Sequence, residues 1–299
     1  MRKHVFAVST IVLNCFLLCV LLPLSTNLRA QSSDKLPADT LVLMTYNLRY
    51  SNSTPSEAWT TRRLLMGELI KGISPDIMGT QEGLYPQIKD LATDMPDYEW
   101  IGLGRNGGSR SEFMAIFFRK SRLEPLEYDH FWLSDTPDVM GSSTWGNSNR
   151  RMVTWVKFHD RKTQREFYYW NTHFDHQIQP AREKSAELVR KRIEALNTKL
   201  PVILGGDFNA AAGKNKAYEI LTGDGFFTDT MKSALERKNE DMGTFNGFKA
   251  LQPNGPRIDW ILTRGDVVAH KIEIVTFARD GKFPSDHCPV VAWVSVGKN

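Results

Sequence analysis

Six places in this chain set an acid, an amide or an imidazole against an apolar run. Asn47 closes "MTYNLRY" and Glu82 closes "IMGTQEG". His173 and Asp175 end the aromatic stretch "YYWNTHFDH", and Asp207 and Asn209 end "PVILGGDFNA". Asp259 interrupts "RIDWIL", and Asp286 with His287 precedes the last apolar run, "PVVAW". Side chains two apart on an extended strand point the same way, so His173 and Asp175 are expected to share a face, as are Asp207 and Asn209. Taken singly, most of these residues have plain explanations: Asn47 as turn chemistry, Glu82 as a solvated acid, Asp286 as a turn cap, His173 as a core histidine. Asp259 resists one, because a carboxylate among Ile258, Trp260, Ile261 and Leu262 is expected to be buried and to need a partner.

Strand ends from distant parts of a chain can meet at one edge of a sheet, where loops carry function. A cluster of carboxylates, two amides and two histidines offers hard oxygen ligands for Mg²⁺ or Mn²⁺, a carboxylate to activate water and imidazoles to steady charge. That combination suits phosphate-ester hydrolysis. Zinc is disfavoured: His173 and His176 are three apart, so on a strand they face opposite ways, and the chain has no HExxH helix. A glycosidase would need only two of the acids and no metal. A non-catalytic binder would have no need for a water-activating aspartate.

The elements that must position these groups are mostly strands. "LVLMTYNLRY", "PDIMGTQE", "YEWIGLG", "EFMAIFFRK", "RMVTWVKFHD", "EFYYWNTHF", "PVILGGD", "RIDWIL" and "PVVAWVSV" read as strands, many alternating. "TTRRLLMGELIKGI" and "PAREKSAELVRKRIEAL" carry apolar residues at helical spacing, and Pro180 suits a first turn. More strands than helices, many of them short, imply two packed sheets with helices outside. Gly205 and Gly206 are expected to let the backbone approach a phosphate closely.

Composition is that of an ordinary globular protein, 41% apolar and 24% charged. The N-terminus differs: Arg2 and Lys3, then an apolar stretch from Val5 to Leu24, then a small-residue site ending at Ala30. This is the pattern of a secretory signal peptide over residues 1–30, with an uncleaved anchor as its rival. Cleavage after Ala30 removes Arg2, Lys3 and Arg29, lowering the net charge from +4 by three, to about +1. The basic balance is thus a property of the leader and gives no warrant for a nucleic-acid surface. Cleavage also removes Cys15 and Cys19 and leaves Cys288 alone, so no internal disulfide is expected. Residues 31–40 read as a polar tether and 41–299 as one domain, exported to the periplasm or beyond and working as a monomer without stable membrane insertion.

"YNLRY", "TQEG", "NTHFDH", "GGDFNA", "RIDWIL" and "SDHCPVV" resemble, in order, the signature segments of the endonuclease/exonuclease/phosphatase superfamily. The resemblance implies a four-layer α/β sandwich, two mixed sheets face to face with helices outside. It implies that Glu82 binds Mg²⁺, with Asn47 beside it on metal or phosphate and Asp286 as a further ligand or an orienting group. It further implies that Asp207 activates water, that Asn209 and His173 hold phosphate, and that His287 steadies charge or moves a proton. Asp259 would partner one histidine, which one being left open. Arg151 resembles an arginine that some members place before a strand to contact phosphate; Arg150 is an equal candidate.

The substrate is a phosphoester whose remainder is open: small molecule, lipid head group or nucleic acid, with a diester preferred over a monoester. "RIDWIL" departs from the "CDRIL" of inositol 5-phosphatases, and no lysine-rich stripe supports tight DNA binding. Phe131 and Trp132, in "YDHFWLSDTP", stand where a membrane-active sphingomyelinase would carry an aromatic hairpin, but fit a core equally well. "GRNGGSRSE" and "GSSTWGNSNR" read as loops bordering the pocket; Glu112 could enter the site from the first, but a solvated acid is the preferred reading.

Overall fold

The computed structural model describes Met1, residues 36–52, Thr54 and residues 57–297. The expected signal peptide and residues 31–35 of the tether lie outside the described residues. The tether's last two residues are part of the domain: Arg122 donates to the Thr40 carbonyl at 2.7 Å and the Asp39 carbonyl at 2.9 Å. Among the described residues no helix is long and apolar enough to cross a membrane.

Among the described residues, thirteen strands and five α-helices follow in the order β1 (Leu41–Asn47), α1 (Trp59–Ile73), β2 (Ile77–Gln81), α2 (Tyr85–Asp94), β3 (Tyr98–Ile101), β4 (Ala115–Arg119), β5 (Leu123–Trp132), β6 (Met152–Asp160), β7 (Arg165–His173), α3 (Gln179–Ala195), β8 (Val202–Asp207), α4 (Lys216–Thr222), β9 (Thr228–Asp229), α5 (Thr230–Ser233), β10 (Glu236–Lys238), β11 (Asp259–Arg264), β12 (Val267–Ile274) and β13 (Val290–Val296). They build a seven-stranded sheet, β10-β12-β13-β1-β2-β4-β3, and a six-stranded sheet, β5-β6-β7-β8-β11-β9. Both are mixed: β1 runs parallel to β2 and β7 parallel to β8, while most other pairs are antiparallel.

Each sheet is apolar on both faces, which is why its strands alternate so weakly in sequence. The inner faces meet in one core that includes Leu43, Ile77, Phe118, Phe158, Tyr169, Ile203 and Val290. The outer face of the first sheet is covered by α1 and α2 through Met66, Leu69, Ile88 and Leu91. The outer face of the second is covered by α3 and α4 through Val189, Ile193, Tyr218 and Leu221. Phe131 and Trp132 are buried, so these two rings belong to the core and not to an exposed aromatic hairpin.

Polar side chains cross between the sheets. Asn171 on β7 donates to the carbonyls of Thr80 at 2.8 Å and Ala115 at 3.0 Å, and accepts from Gln81 at 2.7 Å. The Tyr169 hydroxyl donates to the Met44 carbonyl at 3.2 Å. Gly79 and Gly205 flank that hydroxyl; a methyl group on either would come within 2.9 Å of it.

The two glycines before Asp207 therefore serve packing, not the phosphate approach expected from sequence. Both are buried; Gly205 makes room for Tyr169, and a Cβ on Gly206 would press on the Thr172 carbonyl of the neighbouring strand. Gly206→Ala is expected to lose about 1–3 kcal/mol in denaturant unfolding, and to reduce turnover further, because Thr172 and Gly206 adjoin the His173–Asp207 pair.

Candidate active site

The strand order brings the sequence-predicted residues to one edge. Asn47 pairs in register with Gln81 at the ends of β1 and β2, and His173 with Asp207 at the ends of β7 and β8. Antiparallel β11 begins there, with Asp259 opposite Asp207. The segment before β13 joins them through the Ser285 hydroxyl, which donates to the Asn47 carbonyl at 2.6 Å. Strand ends of this kind are where α/β sheets bind ligands. The result is a cleft of about 650 Å³ lined by Glu82, Arg151, His173, Asp207, Asn209, Asp286 and His287, among others.

Asp207 lies at its floor. One carboxylate oxygen accepts from the Asn209 backbone amide at 2.9 Å. The other accepts from the Asn47 amide at 3.0 Å and faces His173 Nε2 at 3.3 Å and His287 Nε2 at 3.8 Å. Burial and the nearby Asp259 push Asp207 up to about 7, in reach of a general base at neutral pH.

The histidine left unassigned by sequence is settled: His287 Nδ1 meets Asp259 at 3.0 Å. Burial acts against its charge, but Asp259 and Asp207 outweigh burial and carry His287 up to about 10. His173 goes the other way, well below its usual value, because burial is joined by the positive charge of Arg151. One imidazole is thus a cation and the other neutral.

Two same-face expectations need correction. β8 ends at Asp207, and Asn209 sits in the left-handed region at φ 49°, so it reaches the site by a turn rather than by strand alternation. Its amide contacts His173 Nε2 at 3.0 Å and donates to the Phe174 carbonyl at 3.1 Å. Asp175 lies beyond the end of β7 and does not join His173 in the cleft. Its carboxylate caps the turn into α3, accepting from Gln177 and Ile178 amides at 2.9 and 2.7 Å.

Of the two arginine candidates the structure chooses Arg151, which is buried at the cleft wall; Arg150 donates to the Gly141 carbonyl outside it. Arg151 contacts His176 at 3.1 Å and its Nε lies 3.7 Å from Asp175, while among the described residues its Nη1 has no hydrogen-bond partner. His176, set aside as a zinc ligand, thus lines the cleft in another role. Asn47 does not reach the cleft: it is fully buried, its amide donates to Glu82 and Asp207 at 3.0 Å each, and its oxygen accepts from Arg49. It positions two carboxylates.

Two sets of side chains are able to hold a cation. Asp207, Asp259 and His287 bring ligand atoms within 4.8 Å of one another. His287 Nδ1 is engaged with Asp259 at 3.0 Å, an arrangement that also suits holding a proton. Glu82 and Asp286 fit better: both present oxygens to the cleft and share one cation, the Arg49 guanidinium, at 3.8 and 3.5 Å. Two hard carboxylates beside open space suit Mg²⁺.

Sequence reasoning missed Arg49, Tyr50, Arg105, Asn149, Phe245 and Phe248, all on the cleft wall. "NLR" places Arg49 two residues past Asn47, a signal within reach; the others sit on loops without periodicity. Glu112, expected to be a solvated acid, is turned into the cleft and paired with Arg105 at 2.6 Å.

The His287–Asp259 contact predicts a pH signature. An unfolded histidine titrates near 6.5, so a folded value near 10 contributes stability that is complete below pH 6.5 and lost as pH rises through 10. In Asp259→Asn the His287 imidazole resonances of metal-free protein should titrate about two units lower or more. An unchanged titration would show that Asp259 is not its counter-charge.

The sequence model of the Endonuclease/Exonuclease/phosphatase family matches residues 44–287. An endonuclease/exonuclease/phosphatase of Bacteroides vulgatus is 33% identical, with a TM-score of 0.81 over 86% of this chain and 99% of its own. A mannosyl-6-phosphatase of Bacteroides thetaiotaomicron is also 33% identical, with a TM-score of 0.78 over 85% of this chain and 99% of its own. Human Nocturnin, with bound sulfate, shares the fold at 16% identity and a TM-score of 0.69, covering 87% of this chain and 95% of its own. The two face-to-face mixed sheets and the family match over nearly the whole described domain agree: the chain belongs to the endonuclease/exonuclease/phosphatase family.

Proposed function

We propose that this protein is an exported, Mg²⁺-dependent phosphoester hydrolase acting on a phosphate monoester. The observation that carries hydrolysis is the Asp207 carboxylate set between a neutral and a protonated imidazole, in the same cleft as the open guanidinium edge of Arg151. On sequence a diester is preferred over a monoester, though no motif decides between them. The 33% identity to a mannosyl-6-phosphatase moves the reading to a monoester. Export rests on the leader pattern of residues 1–30.

Glu82 and Asp286 would hold Mg²⁺ (Mn²⁺ offers the same chemistry), which when bound neutralises phosphate oxygens and polarises phosphorus. The residues of the chain do the rest. Arg151 holds the phosphate through Nη1, which has no hydrogen-bond partner among the described residues, while Asn209 spends its amide on His173 and the Phe174 carbonyl and so holds His173 in place. Asp207 takes a proton from the attacking water. His173, uncharged, orients the same groups by hydrogen bonding without competing for that proton. His287 enters as a cation, so it steadies the negative charge that builds on the phosphate and can give a proton to the departing oxygen. Asp259 keeps it charged, and Asn47 keeps Asp207 and Glu82 in place.

The test is turnover by the purified domain on a hexose 6-phosphate, an aryl phosphate, a bis-aryl phosphodiester, DNA and sphingomyelin, each with and without EDTA. Monoester hydrolysis abolished by EDTA and restored by Mg²⁺ is expected. Activity that survives chelation, or that is confined to diesters, refutes the reading. Asp207→Asn should lower kcat about 10²–10⁴-fold while the protein unfolds as cooperatively as before; near-normal turnover would remove Asp207 from its role.

A further inference from the structure

The cleft extends past the phosphate-holding residues to a wall that no step above uses. Arg105 stands there with every side-chain nitrogen committed: Nη1 to Glu112 at 2.6 Å, Nη2 to the Asn149 oxygen at 3.1 Å and Nε to the Ser111 hydroxyl at 3.2 Å. Three of its five N–H groups are thus engaged and all three nitrogens are braced on neighbours, whereas among the described residues Arg151 keeps Nη1 with no hydrogen-bond partner at all. The pairing of Arg105 with Glu112 also makes the wall close to neutral.

Two polar groups on that wall remain open. Glu112 uses one oxygen on Arg105, and among the described residues nothing hydrogen-bonds to the other. Asn149 uses its oxygen on Arg105, leaving its NH₂ as a donor. An acceptor and a donor braced on one guanidinium match neighbouring hydroxyl groups, each of which both gives and takes a hydrogen bond. Burial pushes Glu112 up to about 7 in spite of Arg105, so any further donor relieves an under-solvated carboxylate. Glu112 also feels the charges of Glu82 and Arg151, so the wall lies within electrostatic reach of the metal and phosphate residues.

The same cleft carries an apolar platform. Phe245 is 45% exposed, and its ring meets His287 edge-on at 5.2 Å. A large exposed ring beside a reacting imidazole has a ligand's apolar face as its natural cover.

We propose that Glu112, Asn149 and their brace Arg105, together with the Phe245 ring, form the subsite for the alcohol half of the substrate, and that they select a hexose presenting adjacent hydroxyls. This rests on the phosphomonoesterase reading for the reaction, but the binding it describes stands apart from turnover. The hydroxyls donate to Glu112 and accept from Asn149, while the C–H face of the sugar ring lies on Phe245.

The experiment compares mannose 6-phosphate with cyclohexylmethyl phosphate, which has the same ring size and leaving-group type but no ring hydroxyls. Wild-type protein should prefer the sugar in kcat/KM. Glu112→Ala should cut that preference about 10–100-fold, through KM more than kcat. Glu112→Gln, which can still hydrogen-bond Arg105, covers the case in which the alanine variant misfolds, and should move the preference the same way. Calorimetric binding of both compounds to Asp207→Asn protein with Mg²⁺ reads the subsite without turnover. A Glu112-dependent preference there supports the subsite even if no ester is hydrolysed, an outcome that would refute only the phosphomonoesterase reading. No preference for the sugar in wild type, or a preference that both Glu112 variants leave intact, overturns the inference. Equal loss on both compounds also overturns it, by placing Glu112 on the phosphate. Phe245→Ala should weaken both compounds about 3–10-fold alike; no weakening would remove the platform.

Discussion

The Asn47 amide nitrogen is shared between Glu82 and Asp207, at 3.0 Å from each. Glu82 follows a strand of the first sheet and Asp207 ends a strand of the second, so this one amide spans the seam of the sandwich. A metal-holding acid and a water-activating acid stay in working distance only while the two sheets keep their relative register. The close-packed core resists sliding, but its dispersion contacts are not directional and leave small shifts of register open. Asn171, Gln81 and Tyr169 remove the freedom by crossing the seam with directional hydrogen bonds. A buried amide left unpaired by a slip would cost about 1–3 kcal/mol, and several would be left at once.

The loops over that seam are held by a different device. Arg62 on α1 is almost fully buried and gives its donors to the carbonyls of Leu48, Arg49, Tyr50, Glu57 and Pro284. Burial lowers its pKa, with the phenol of Tyr46 and the Asp286 carboxylate as the nearest counter-influences. Two chain segments, after β1 and before β13, are thereby tied to one helix. Arg49 and Asp286 are then brought into contact across them, which is why a cation-attracting corner forms without either loop belonging to a sheet.

Much of this was legible in the sequence, and the limits follow from physics. The strand-end polar residues stand out because an acid or imidazole after an apolar run is conspicuous whatever the fold. The helix after β2 was missed: Tyr85, Ile88 and Leu91 have helical spacing, but the run is only ten residues long and follows a glycine. Strand β5 is a sheet edge with exposed Glu124, Glu127 and Tyr128 and a bulge next to Pro125, so it lacks the alternation that identifies a strand. The same-face argument for Asp207 and Asn209 named the right residues by the wrong geometry. It assumed an extended chain where a left-handed turn stands, and only an Asx-type bond from Asn209 to Asp207 makes that turn favourable.

The arginines show what sequence could not sort. Four of them border or underlie one site, and their partners give each a different task. Arg62 has five carbonyls and is a brace. Arg49 faces two carboxylates and marks where a cation belongs. Arg105 is braced through all three nitrogens by an acid, an amide and a hydroxyl, and the acid offsets its charge. Arg151 keeps Nη1 without a partner in a place where water is scarce. An unpartnered buried donor is costly in an empty cleft and favourable once an anion arrives. Among the described residues Arg49 also keeps Nε without a hydrogen-bond partner, but Glu82 and Asp286 face it, whereas Arg151 sets an open Nη1 on the cleft wall with Asp175 as its acid, 3.7 Å from Nε.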